Sequence, residues 1–156
     1  MKKIFSYLAA AAMLFAASCS NEDLGTNDAN DTQVTFNLSL EGQSGTRAIG
    51  DGTTAQTLYY AVYDEAWNHI PALDGTTTIN ITADVQMELL DGKVYNFIFW
   101  AQNAACGAYD VTDLTSVAID YEVIKEKGND DVFDALHYIH ENYETLQVDE
   151  NRIYLS

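Results

Sequence analysis

Residues 94–101 read Val-Tyr-Asn-Phe-Ile-Phe-Trp-Ala, the most hydrophobic run outside the leader. Aromatic and β-branched residues dominate it, and it leaves little room for polar exposure, so it predicts the central strand of a sandwich. Just upstream, Asp91-Gly92 is a two-residue hairpin signal. Residues 85–90 continue an apolar pattern, residues 77–81 (TTINI) alternate, and residues 58–62 (LYYAV) read as another strand. Further back, Val34, Phe36, Leu38 and Leu40 alternate with Thr35, Asn37 and Ser39. Strict period two buries one face of a strand, here expected at a removable edge of the fold. Downstream, Val117, Ile119 and Tyr121 alternate again. Gly, Ser and Thr crowd the connections, most densely over residues 41–54 (EGQSGTRAIGDGTT), which should form an exposed loop. Short strands separated by turns predict a mainly β fold, an antiparallel β-sandwich with Greek-key character. Near the end the period changes. Val132, Leu136, Ile139 and Tyr143 stand at i, i+4, i+7 and i+11. That spacing, with Asn129, Asp130 or Asp131 as a cap, predicts one C-terminal amphipathic helix over residues 132–146.

The composition excludes several partners. The chain has 156 residues, with 24 acidic against 7 basic ones, for a net charge of −17. Phosphate-binding surfaces need clustered Lys and Arg, and no more than two basic residues stand together. Nucleic acid and anionic membrane surfaces are therefore poor partners. The 47% hydrophobic fraction is too high for wholesale disorder. Two cysteines, Cys19 and Cys106, make neither a disulfide scaffold nor a multi-thiolate zinc site. Cys106 reads as a buried small hydrophobe.

The N-terminus reads as an address. Lys2 and Lys3 precede an apolar segment over residues 4–17 that is short for a permanent membrane anchor and right for a secretory leader. It ends Ala16-Ala17-Ser18-Cys19, which resembles a bacterial lipoprotein signal, with Cys19 as the lipidated first residue of the mature chain. The alternative is ordinary secretion, with cleavage at an A-x-A-like site over residues 16–18. The organisation is then a signal peptide over 1–18, a polar tether over 19–32 and a β domain over 33–156. The tether's acidic, nearly non-apolar composition suits a disordered leash.

The order of these features resembles the N-terminal domain of Bacteroidales fimbrillins, the type V pilins. The order runs from the lipoprotein signal and leash through VTFNLSL (34–40), Thr46-Arg47-Ala48 and TLYYAVYDE (57–65) to Trp67. VYNFIFWAQN (94–103) is similar to the family's central strand, and Asp134-Ala135 to its D-A-F segment, with Leu136 in place of Phe. Glu22-Asp23 behind Cys19 resembles the surface-export signal of Bacteroidota lipoproteins.

The resemblance implies a transthyretin-like sandwich and a surface-exposed lipoprotein of the cell outer membrane, built into fimbriae. It also implies cleavage by an arginine-specific protease between Arg47 and Ala48. The strand carrying Val34, Phe36, Leu38 and Leu40 would then leave, and a strand from another fimbrial subunit would fill the groove. Arg47 is the single Arg or Lys between Lys3 and Lys93, so such a protease meets one site there. The opposing reading keeps the strand in place and Arg47 as an ordinary loop residue. Family members continue into further strands and a second β domain, so residues 33–156 are expected to be an incomplete domain that accepts a strand without donating one.

Catalytic and metal constellations are weak. His137 and His140 at i, i+3 on the expected helix, with Glu141 and Glu144 nearby, lack the order of a zinc-protease motif and a further ligand. Gly42-Gln43-Ser44-Gly45 is not a nucleophile elbow, and the glycines of residues 48–54 do not spell a phosphate loop. Asp28, Asn30 and Asp31 lack an EF-hand's spacing. Asp130, Asp131 and Asp134 suit a solvated helix start better than a calcium site. No catalytic site, metal or cofactor is therefore expected. Tyr59, Tyr60, Tyr63, Trp67, Trp100 and Tyr109 either cover the sheet and core or offer platforms for sugar stacking. Two function classes follow. One is a non-catalytic structural or adhesive fimbrial subunit. The other is a surface lipoprotein that binds a glycan or protein, from a host or elsewhere.

Overall fold

The computed structural model describes residues 31–40, 52, 54–127, 131–145 and 151–156. Cys19, the tether before Asp31, Arg47 and Ala48 lie outside the described residues. Among the described residues, nine strands and one short α-helix run in the order β1 Asp31–Leu40, β2 Thr57–Asp64, β3 Gly75–Thr78, β4 Thr82–Leu90, β5 Val94–Gln102, β6 Tyr109–Asp110, β7 Ala118–Ile119, α1 Tyr121–Lys127, β8 Ala135–Glu144 and β9 Arg152–Leu155. Two sheets carry the architecture, ordered β4-β1-β9 and β3-β2-β5-β8, while β6 and β7 form a small ribbon. All pairings among the described strands are antiparallel except that of β1 with β9. The protein is thus mainly β.

The two sheets share one core. β1 contributes Val34, Phe36, Leu38 and Leu40, β4 contributes Val85, Met87 and Leu89, and β9 contributes Ile153 and Leu155. Against these pack Leu58 and Val62 of β2, Tyr95, Phe97 and Phe99 of β5, and Tyr143 of β8. This face-to-face packing is what a β-sandwich requires. Phe36 is the pivot. It is fully buried, with its ring centroid 4.8 Å from Phe97, 5.8 Å from Phe99 and 5.1 Å from Tyr143.

The expected C-terminal helix is a strand. Residues 135–144 form β8, paired with β5 from Val94↔Glu144 to Gln102↔Ala135. The backbone of β5, the most apolar strand, needs hydrogen-bond partners on both sides, and β8 supplies the second set. The helical spacing arose from a bulge. Leu136, Tyr138 and His140 point to the core side at period two, then the register shifts and Tyr143 takes the next inward place. One extra residue converts period two into an apparent i, i+7, while Ile139, assigned to the apolar helix face, is 46% exposed. Asn142 adopts φ +56° at this bulge, a left-handed conformation that Asn tolerates. The amide of Asn142 donates to Asn96 Oδ1 at 2.9 Å, and Asn96 Nδ2 donates to the Asp64 carbonyl at 2.7 Å. Asn96 is 1% exposed, so one buried amide ties β2, β5 and the β8 bulge together.

Other expectations also change. Strand β1 is not an edge, because it lies between β4 and β9. Asp91-Gly92 does not close a hairpin, since β4 and β5 belong to different sheets. It is the corner where the chain crosses the core, with Gly92 at φ +68° and its amide donating to Thr145 Oγ1 at 3.0 Å. The strand expected around residues 117–121 shrinks to β7, and Tyr121 opens α1. Strand β3 ends at Thr78, but the alternation over residues 77–81 runs on through Ile79, 1% exposed, and breaks at Ile81, which sits at φ +68° with 67% exposure. Cys106 is half-buried rather than buried.

Candidate functional site

Two features have functional geometry. The first is the seat of β1. Its backbone pairs with β4 from Asp31↔Leu90 to Ser39↔Thr82 on one side and with β9 from Asn37↔Arg152 to Leu40↔Leu155 on the other. Side chains add little outside the core. Asn37 Nδ2 donates to Asp84 Oδ1 at 2.8 Å, and the Thr32 hydroxyl donates to Asp91. The four apolar residues expected to form an exchangeable strand are 4%, 0%, 0% and 8% exposed in chain order. The strand is therefore held by ladder bonds and by one buried face.

The second feature is a cleft of about 570 Å3 on the outer face of the larger sheet. Alternation along β2 turns Leu58 and Val62 into the core and leaves Ala61 and Tyr63 on the other side, where they pack with Ile98 and Leu114. The loop carrying Leu114 forms one wall. Asp113 Oδ1 there accepts from the Thr115 amide at 2.9 Å and hydroxyl at 2.6 Å. The turn after β2 forms another wall. Asp64 Oδ1 accepts from the amides of Ala66 and Asn68, and Oδ2 from the Asn68 side chain. That turn holds Trp67 at φ +62° with 41% exposure. Tyr63 lies beneath, its ring 5.4 Å from Trp67 and stacked 5.1 Å from His69. His69 Nε2 is 2.7 Å from Asp74 Oδ2, and Asp74 Oδ1 accepts from the Val62 amide at 3.0 Å. Gly75 is needed here, since a Cβ would fall 2.2 Å from the Tyr60 hydroxyl oxygen.

The electrostatics of the cleft are negative. Burial, then the carboxylates of Asp113 and Asp74, push the Tyr63 phenol above its ordinary value. The Thr115 hydroxyl, then its amide, hold the Asp113 carboxyl below the usual range. Asp64 is lowered chiefly by the Asn68 side chain, and Asp110 by the Thr112 hydroxyl. All three depressed carboxyls contribute stability above the unfolded value of about 3.9 and lose it as pH falls toward their folded values. A carbon-detected NMR titration should place the midpoints of Asp64, Asp110 and Asp113 below those of the same residues in urea. Equal midpoints would contradict the turn geometry.

The aromatic residues singled out from the sequence divide. Tyr59, Tyr60, Tyr63 and Trp67 line the cleft. Trp100 and Tyr109 pair elsewhere at 5.6 Å. His137 and His140 are not brought together, since in a strand residues three apart face opposite sides. His137 is exposed and His140 buried. Asp134 starts no helix. Its buried carboxylate accepts from the Thr54 hydroxyl at 3.0 Å. Among the described residues no three His, Cys, Asp or Glu side chains are grouped to hold a metal. Sequence reasoning missed His69, Asp74 and Asp113 at the cleft, and spacing alone does not join them.

Fold and cleft together define a strongly acidic, mainly antiparallel β protein with β1 as an inner strand and an aromatic-acidic surface cleft. Residues 25–153, more than half of the chain, match the model of a family described as a family of unknown function, DUF6562, so the chain belongs to that family. No curated protein and no solved structure matches it.

Proposed function

We propose that this protein is a non-catalytic surface lipoprotein of the outer membrane, lipidated at Cys19. In this reading it serves as a structural or adhesive fimbrial subunit, or as an anchor or tip accessory, and assembles by β-strand exchange. The facing sheets are read as a transthyretin-like, Greek-key sandwich. The observation that carries the proposal is the seat of β1. An inner strand that departs leaves two open ladders, on β4 and β9, and an apolar floor made by Phe97, Phe99 and Tyr143. Each large side chain lost from a core is worth about 1.5–3 kcal/mol, so four give a drive on the order of 6–12 kcal/mol to capture a substitute. An incoming strand also satisfies the backbone groups on both sides.

The test treats the purified soluble chain with an arginine-specific protease and follows size and mass. The proposal expects one early cut, between Arg47 and Ala48, then loss of the N-terminal segment and growth of oligomers, with all three abolished by Arg47→Ala. Loss of the segment without assembly would count against it.

A further inference from the structure

We propose that the cleft between the Trp67 turn and the Leu114 loop binds a neutral saccharide. One pyranose ring would lie against the Trp67 indole and donate hydroxyl hydrogens to the carboxylates of Asp74 and Asp113. The inference does not rest on the fimbrial reading, because the cleft is on the face of the β3-β2-β5-β8 sheet turned away from the core that β1 fills.

Three observations converge. The first is the display of a large aromatic side chain. Trp67 is held in a left-handed backbone conformation that costs free energy for a non-glycine residue, and its turn is fixed by three hydrogen bonds to one Asp64 carboxylate. Trp67 is 41% exposed, and its ring makes a tilted contact, centroids 5.4 Å apart, with that of buried Tyr63. A partly exposed indole on a hydrogen-bonded turn at the cleft offers apolar surface to a ligand.

The second is the state of the acceptors. Both Asp74 oxygens are oriented, one by the Val62 amide and one by His69. Asp113 Oδ1 is fixed by Thr115. Fixed carboxylates with remaining lone pairs accept directional bonds from hydroxyl groups. The third is charge and size. The cleft's two carboxylates and a chain at −17 disfavour anionic ligands. A bulk cation would compete with His69, which already lies against Asp74. The volume of about 570 Å3 lies in the range of small-ligand sites, roughly 300–1,000 Å3.

The test uses the full soluble chain and intrinsic tryptophan fluorescence. The probes are neutral gluco-, manno-, galacto- and xylo-configured tetrasaccharides, with tetramethylammonium and an oligolysine peptide as cationic probes. At least one tetrasaccharide should bind. Trp67→Ala should weaken it at least about tenfold, and Asp113→Asn, which keeps an acceptor for Thr115, by about threefold or more. Isothermal calorimetry reads the Trp67 variant, and far-UV circular dichroism checks its fold. Trp100→Phe, outside the cleft, should leave the affinity unchanged. The proposal is overturned if no tetrasaccharide binds at about 10 mM, if binding ignores Trp67→Ala, or if the cationic probes alone bind.

Discussion

Phe36→Ala should destabilise the domain by about 3–5 kcal/mol, the cost typical of deleting a buried phenyl ring. The ring is fully buried and touches three aromatic rings from the opposite sheet. Its loss opens a void in the middle of the core rather than at a rim, where neighbours could collapse into it. Small domains hold only about 5–15 kcal/mol in total, so the variant should sit close to its unfolding threshold. Urea unfolding should show a lower midpoint with an unchanged slope. A loss under about 1 kcal/mol would mean that β1 is not seated as described.

Asn96→Leu should cost about 1–3 kcal/mol for a different reason. The side chain is nearly isosteric, so packing changes little. One polar group is stranded instead, the Asn142 amide, while the Asp64 carbonyl loses one of two donors and keeps the Trp67 amide at 3.0 Å. A part-buried donor left unsatisfied costs about 1–3 kcal/mol. Hydrogen exchange gives the specific readout, because the Asn142 amide should lose its protection in the variant. Asn142→Gly offers the contrast. Its backbone already lies at φ +56°, which glycine adopts without a Cβ penalty, so it should be near neutral. If Asn96→Leu proved equally harmless, the buried amide would not be what holds the bulge.

Much of this architecture was legible in the residues. Strict alternation located β1, which buries one face against the other sheet, and the apolar pattern over residues 85–90 marked most of β4. The run at 94–101 announced an inner strand, and β5 does lie between β2 and β8. Periodicity failed where one extra residue broke it. The bulge before Tyr143 imitated a helix, and only the open side of β5 decides for a strand. The Asp91-Gly92 turn is legible as a turn but not as a corner, because turn chemistry says nothing about which sheet the next strand joins. β9 is four residues long, and its Ile153-Leu155 alternation is too brief to stand out. In the cleft, Tyr63 and Trp67 were visible as aromatic side chains. Their union with Asp113 depends on a loop nearly fifty positions later folding over β2, which no local pattern encodes.

The most direct test of the central claim is capture of a synthetic strand. The chain is cut after Arg47, its N-terminal segment is removed, and a labelled peptide of sequence DTQVTFNLSL, residues 31–40, is offered. Fluorescence anisotropy should report slow, tight uptake of this peptide and little or none of the same peptide with Phe36→Ala and Leu38→Ala. Equal uptake of both peptides, or of neither, would contradict a groove that reads the buried face of β1.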